Sequence, residues 1–220
     1  DVPTRVGADS NWAELAAGER HTCGRRGGEL YCWGLNTTGQ LGDGTAQAKV
    51  SPTRIGDGTN WTEVDAGAQN GCGRRGDVLF CWGSNAYGGG GDGTIVIRST
   101  PTQVSAGWSS VATGYGHACG LRAGGLECWG KNEDGQVGDG TRQVVTAPQR
   151  IGTDGGWWFV AGGDLHACAI SSGRLYCWGN NASGQVGDGT TLVRSTPVQV
   201  GTATDWSFVA SGQSLSLIHI

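Results

Sequence analysis

Eight cysteines, two in each of four segments, have the spacing that most directly suggests chemistry. The members of every pair stand nine positions apart: Cys23 and Cys32, Cys72 and Cys81, Cys119 and Cys128, and Cys168 and Cys177. A two-residue turn signal at the middle of each pair predicts a β-hairpin. Counting outward from the turn puts the cysteines at a non-hydrogen-bonded position, where Cα atoms lie about 4.5 Å apart. The pairs are therefore disulfide candidates, each closing a loop of about ten residues.

A second interpretation of these cysteines stays open at this stage. Buried free thiols can serve as small apolar side chains. Two facing cysteines supply only half of a zinc site, so zinc is a poor third interpretation. Disulfides would place the protein in an oxidising compartment, outside the cell or in the cell envelope, whereas free thiols would allow the cytoplasm.

Three other residue types recur at fixed positions, and each is better explained by structure than by chemistry. The histidine at a strand end is expected to form a hydrogen bond with the backbone. The Asp in Gly-Asp-Gly-Thr is expected to stabilise its turn. The Trp in Cys-Trp-Gly is expected to pack between neighbouring units. A calcium ion needs six to eight oxygens, and each Asp is alone in its loop. These sets are His21, His117 and His166, with Asn70 in the remaining slot; Asp43, Asp92, Asp139 and Asp188; and Trp33, Trp82, Trp129 and Trp178.

The motifs of nucleophilic, metallopeptidase and phosphate-binding sites do not occur, so no catalytic, cofactor-binding or metal-binding residue is predicted. The net charge is −4 and there is no basic run. This argues against binding to nucleic acid phosphates. No apolar run approaches the length of a membrane span.

Internal repetition predicts how these residues are positioned. Cys-Trp-Gly occurs four times, at residues 32–34, 81–83, 128–130 and 177–179, in steps of 49, 47 and 49 residues. Each copy contains short apolar runs of good strand formers, bounded by Gly, Asn and Asp. About four short strands per 48 residues is typical of a β-propeller blade. The fold class is therefore all-β, a propeller of four-stranded antiparallel blades.

The chain resembles the regulator of chromosome condensation repeat family. The resemblance rests on Trp-x-x-Val-x-x-Gly, His-x-Cys, Gly-x-Leu-Tyr-Cys-Trp-Gly and Gly-Gln-Val-Gly-Asp-Gly-Thr, which occur in this order in residues 156–204. It implies a seven-bladed ring, of which only four complete copies are found. We therefore expect an incomplete ring, an open arc of about four blades.

The repeat also sets the expected boundaries. We expect residues 1–10 to end a preceding blade and 205–214 to begin a fifth, with complete blades at 11–59, 60–106, 107–155 and 156–204. In residues 215–220 the repeat breaks off, since Leu215 and Leu217 replace the expected His and Cys. These six residues are interpreted as a non-native tail, and the alternative is a divergent blade.

Recognition is expected where the copies differ, because a feature shared by every copy serves the fold that every copy needs. The two residues after the shared inner glycine differ from copy to copy and mix charged, aromatic and apolar types, as contact surfaces do. The binding-face candidates are Glu19, Arg20, Gln69, Tyr115, Asp164 and Leu165. Variation among solvated loops is the alternative explanation.

These observations favour a non-catalytic scaffold that binds a protein partner, or a glycan, outside the cytoplasm. The resemblance also implies nucleotide exchange on a small GTPase, the activity of the family's founding member. Light sensing, as in a plant photoreceptor of this fold, would need Trp where Glu19, Ala68, Tyr115 and Asp164 stand. A propeller lyase or hydrolase has no support in the residues, and fold alone does not license function.

Overall fold

The computed structural model describes residues 2–3, 5–7, 9–213 and 216–219, and within them the chain is all-β, without a helix. Sixteen strands form four antiparallel sheets of four strands each, and every sheet follows the order of the chain. Blade 1 consists of β1 (Trp12–Ala17), β2 (His21–Arg26), β3 (Glu29–Gly34) and β4 (Lys49–Arg54). Blade 2 consists of β5 (Trp61–Ala66), β6 (Asn70–Arg75), β7 (Val78–Gly83) and β8 (Arg98–Ser105). Blade 3 consists of β9 (Trp108–Thr113), β10 (His117–Arg122), β11 (Gly125–Gly130) and β12 (Val145–Arg150). Blade 4 consists of β13 (Trp157–Gly162), β14 (His166–Ser171), β15 (Arg174–Gly179) and β16 (Arg194–Gln199).

The predicted fold class is confirmed. The four sheets form an open arc, and none of them closes on itself. First strands of successive blades are neighbours: β1 contacts β5, β5 contacts β9, and β9 contacts β13. The first strands therefore line a central channel, as in a propeller.

The second and third strands of each blade form the hairpin that carries the cysteines. In blade 1 the turn residues Gly27 and Gly28 have φ of 57° and 80°, as a type I′ turn requires. The pairing places Cys23 opposite Cys32, and the same register recurs in every blade. All four pairs are disulfide-bonded, with Cα atoms 4.0–4.1 Å apart. The predicted disulfides are thus confirmed, and the short local hairpin explains why the sequence sufficed.

The hydrophobic core is divided among the seams between blades. At the first seam, Trp61 and Val64 of blade 2 pack against Leu30 and Ile55 of blade 1. In blade 1 the residue equivalent to Val64 is Leu15, and its side chain is 61% exposed. Each blade is thus stabilised largely by its neighbours, as in other repeat proteins.

After blade 4 the chain forms a two-stranded sheet, β17 (Phe208–Ser211) paired with β18 (Ser216–His219). Val209 of β17 is buried against blade 4. The expected start of a fifth blade therefore includes a strand that continues the arc. Of the six residues interpreted as a non-native tail, four form β18, whereas Leu215 and Ile220 lie outside the described residues.

Candidate functional site at the mouth of the central channel

Shared glycines bring the loops between the first and second strands into contact around the channel. A Cβ atom on Gly67 would lie 2.4 Å from the carbonyl oxygen of Gly114, and one on Gly114 would lie 2.2 Å from that of Gly163. Gly18 and Gly163 stand in the same relation to the next blade. No side chain fits at these distances, so the repeat needs glycine here for close approach of backbone. We call these four loops, at residues 18–20, 67–69, 114–116 and 163–165, the mouth loops.

The recurring histidines lie beneath the mouth loops. The His21 ring is buried, and a Cβ on Gly18 would lie 2.4 Å from its Cε1 atom. Burial lowers the pKa of His21 to about 4, and it lowers the pKa of His117 to about 3 and that of His166 to about 4. Neither ring nitrogen of His21 has a hydrogen-bond partner among the described residues. The backbone bond expected from the sequence is therefore wrong for His21, whose ring fills the space under its glycine instead.

The recurring Asp residues stabilise turns within a blade, and recurring Trp residues bond across the seams. The Asp43 carboxylate accepts hydrogen bonds from the backbone N–H and hydroxyl of Thr45, at 2.9 and 2.8 Å, and from the Asn36 amide at 2.9 Å. The indole of Trp82 donates across a seam to the carbonyl oxygen of Gln40, at 3.0 Å. Trp129 and Trp178 make the equivalent bonds. The turn-stabilising role expected of the Asp set is confirmed. Packing between units is confirmed for these three Trp residues, whereas Trp33 contacts Trp12 of its own blade.

Acidic side chains reinforce the seam between blades 2 and 3 inside the channel. Glu63 of blade 2 accepts hydrogen bonds from the Ser110 hydroxyl, at 2.9 Å, and the Val111 N–H of blade 3. Asp65 accepts from the N–H and hydroxyl of Thr113, at 2.6 and 2.8 Å. Burial raises the pKa of Asp65 above its ordinary value, although these hydrogen bonds oppose the shift. This pair could not be predicted from the sequence, because its partners lie nearly one blade away.

Two of the predicted binding-face residues meet at the channel mouth. Glu19 of blade 1 and Asp164 of blade 4 line the same cavity of about 290 Å³, whose other lining residues are mostly glycine and alanine. Burial raises the pKa of Asp164, and the nearby Glu19 charge adds to the rise, against a hydrogen bond from Gln213. The arc therefore brings together two carboxylates that are 145 positions apart in the chain.

Two more candidates, Gln69 and Tyr115, line a smaller pocket at the seam between blades 2 and 3. Tyr87 lines this pocket as well. The Lys131 ammonium lies 5.0 Å from the ring centroids of both tyrosines, within the range of cation–π attraction. We call this the seam pocket, lined by Ala68, Gln69, Asn70, Ser84, Tyr87, Tyr115 and Gly116.

The last two candidates line neither cavity. Arg20 is exposed and forms a 3.6 Å ion pair with Glu19. The backbone carbonyls of Arg20 and Leu165 accept hydrogen bonds from Leu35 and Asn180. The six candidates thus divide into a channel-mouth pair, a seam-pocket pair and two flanking residues. Sequence reasoning missed Tyr87 and Lys131, although their slots also vary among the copies.

No group of three or more His, Cys, Asp or Glu side chains in the described part of the chain is placed to hold a metal ion. The same residues include no helix that could span a membrane.

The chain is a repeat-built β-propeller. Its four-stranded blades stack around a channel, and each blade has the shared disulfide and a variable mouth loop. Family models described as the regulator of chromosome condensation (RCC1) repeat match residues 27–73, 124–170 and 172–218, and a second set matches 12–40 and 108–136. The chain belongs to the RCC1 repeat family.

Solved structures agree on the fold. Human WBSCR16 superposes with a TM-score of 0.88 at 22% identity, over 98% of this chain and 60% of that one. Prp20p from Saccharomyces cerevisiae superposes with a TM-score of 0.88 at 21% identity, over 98% of this chain and 57% of that one. The ectodomain of the Physcomitrella patens receptor kinase CR4 superposes with a TM-score of 0.54 at 21% identity, over 96% of this chain and 48% of that one. The chain thus spans about 60% or less of the length of these structures. No curated protein matches it.

Proposed function

We propose that this chain is a non-catalytic propeller scaffold that binds a protein partner through its mouth loops. One observation carries the proposal: residues shared by the copies form the seams and the disulfides, whereas four of the six variable candidates line the channel mouth or the seam pocket. Tyr115, Gln69 and Asp164 are partly exposed there, and tyrosine is enriched among residues that dominate interface energies. In keeping with this role, Prp20p is described by its binding to Gsp1p and histones.

The proposal places the protein outside the cytoplasm. Its support is the set of four intrablade disulfides, since such bonds persist in oxidising compartments and are rare in the cytosol. Alkylation of free thiols followed by mass spectrometry, on protein taken from its native compartment, tests this. We expect no alkylated cysteine before reduction and eight after it, and eight alkylated cysteines before reduction would contradict the location.

Selection of peptide ligands tests the binding function. A phage-displayed random peptide library is selected on the immobilised chain, and the selected peptides are measured against a variant carrying Gln69→Ala, Tyr115→Ala and Asp164→Ala. A matched control carries Asp57→Ala and Arg174→Ala, two exposed positions away from the mouth. We expect at least tenfold weaker binding to the mouth variant and unchanged binding to the control. Equal binding to both variants would contradict the proposal.

Exchange on a small GTPase and glycan binding remain alternatives from the sequence. No contact among the described residues favours either over protein binding.

A further inference from the structure

The seam pocket is where blade 2 and blade 3 depart most from the repeat. Asn70 replaces the histidine of the other three blades, and Gly89 replaces the Gln found at positions 40, 136 and 185. Gly116 stands where the other mouth loops have Arg, Gln or Leu. These substitutions are separated by up to 46 positions, yet they meet at one seam, where a Cβ on Gly89 would lie 2.7 Å from the carbonyl oxygen of Gly116.

The lost side chains would otherwise occupy this region. In blade 1 the Gln40 side chain is buried. Its side-chain oxygen, Oε1, accepts hydrogen bonds from the backbone N–H and the hydroxyl of Thr38, at 2.9 and 2.8 Å. In blade 2 the residue equivalent to Thr38 is Tyr87. Its ring lies against Gly116 instead, since a Cβ there would be 3.0 Å from the Tyr87 Cδ2 atom. The smaller residues at this seam therefore allow a pocket of about 30 Å³.

Asn70 supplies the polar wall of the pocket. Its side chain is only 2% exposed, and neither the amide nitrogen nor the amide oxygen has a hydrogen-bond partner among the described residues. Buried polar groups without partners are rare and costly, so each calls for an explanation. The ring nitrogens of His21 likewise lack partners among the described residues, but of the four residues at this repeat position only Asn70 lines the seam pocket. A group that offers both a donor and an acceptor would satisfy the Asn70 amide.

We propose that the seam pocket binds a neutral amide group of a protein partner, with Asn70 as its hydrogen-bonding partner. Its volume admits a single small polar group and excludes a sugar ring. Lys131 lies over one face of Tyr87 and one face of Tyr115, so that face of each ring is not free to stack on a sugar. Tyr87, Tyr115, Gln69 and Ser84 line the pocket, a composition like that of antibody paratopes. The inference rests on the proposed protein-binding function and assigns its partner chemistry.

A titration with small amides tests the pocket directly. Acetamide represents an Asn or Gln side chain and N-methylacetamide represents main chain, so the two probes distinguish the sources of the amide. The side-chain amide resonances of Asn70 are followed by 15N NMR in the full chain. We expect saturable shifts with at least one probe. The absence of any saturable shift with both probes would overturn the inference.

Variants that restore the repeat residue provide the matched comparison. Gly89→Gln introduces the side chain that fills the equivalent place in three blades, and we expect it to reduce the Asn70 shifts at least fivefold. Asn70→His introduces the residue of the other blades, and we expect Tyr115 ring resonances to lose their response to the probe. Arg174→Ala, at an exposed position away from the mouth loops, should leave the response unchanged. A full response in both restoring variants would also overturn the inference.

The two proposals can fail separately. If selected peptides bind at the mouth loops but Gly89→Gln does not weaken them, the amide pocket is wrong and the scaffold function stands. If no peptide is selected while the amide probes bind, the pocket is an amide site, but the scaffold function and the assignment of the amide to a protein partner fail.

Discussion

Replacement of Gly67 by Ala should destabilise the chain through the contact between mouth loops. The φ of Gly67 lies outside the left-handed region, so an alanine there meets no backbone strain of its own. Its Cβ would lie 2.4 Å from the Gly114 carbonyl oxygen and 2.5 Å from the Asn70 Oδ1 atom. Comfortable C···O contacts begin at about 3.3 Å, so the backbone of the neighbouring blade must move by about 0.9 Å. Overpacking that shifts backbone costs roughly 1–3 kcal/mol, and we expect the upper end.

Gly155→Ala is the matched control. Gly155 also has an ordinary φ, and the nearest atom to a Cβ there is a carbonyl oxygen 4.0 Å away. Such a change stabilises a protein by about 0.4–1 kcal/mol, because it restricts the unfolded chain. Guanidinium unfolding followed by tryptophan fluorescence gives both midpoints. Equal midpoints for the two variants would refute the view that close glycine contacts hold the inner loops together.

Three further predictions concern the disulfides, a turn and a carboxylate. Replacing Cys23 and Cys32 together by Ala should lower the free energy of unfolding by about 2.7 kcal/mol, the chain-entropy value for a ten-residue loop. Denaturant unfolding of the oxidised proteins measures this difference, and an unchanged free energy of unfolding would contradict the prediction. Ala123 has a φ of 50°, a conformation that Asn adopts more readily than Ala, so Ala123→Asn should raise the free energy of unfolding by about 0.5–1 kcal/mol in the same assay. An unchanged midpoint would contradict the view that Ala123 strains the turn. The raised pKa of Asp65 means that the folded state holds its proton more tightly, so this residue's contribution to stability falls as pH rises from its ordinary value of 3.8 through its folded pKa. Asp65→Asn should remove that fall, and parallel pH–stability curves for the two proteins would contradict it.

The parts of the structure that sequence predicts best are local. The hairpin register follows from two turn residues, because pairing alternates outward from the turn, so the Cys72–Cys81 disulfide needed no knowledge of the neighbouring blades. The Asp43 turn is equally local, since its partner Thr45 is two positions away. The repeat period then places four such units side by side, because one blade cannot bury its face alone.

The parts that sequence does not predict are contacts between blades. The variable mouth loops were identified, yet nothing in the chain says that Glu19 and Asp164 share one cavity, because that depends on the curvature of the arc. The seam pocket needs Asn70, Gly89 and Gly116 together, and each alone looks like ordinary variation. The missed signal was that three departures from the repeat fall on the two sides of one seam.

A systematic substitution scan with two readouts tests most directly whether folding and recognition are divided between shared and variable residues. Every position is varied on the displayed chain, and the amount of folded protein and the binding of a selected peptide are measured separately. We expect the inner glycines, the cysteines and the Cys-Trp-Gly tryptophans to change folding, and positions that change binding alone to cluster at the mouth loops and the seam pocket. Binding-only positions scattered over the outer strands and the hairpin turns would contradict this division.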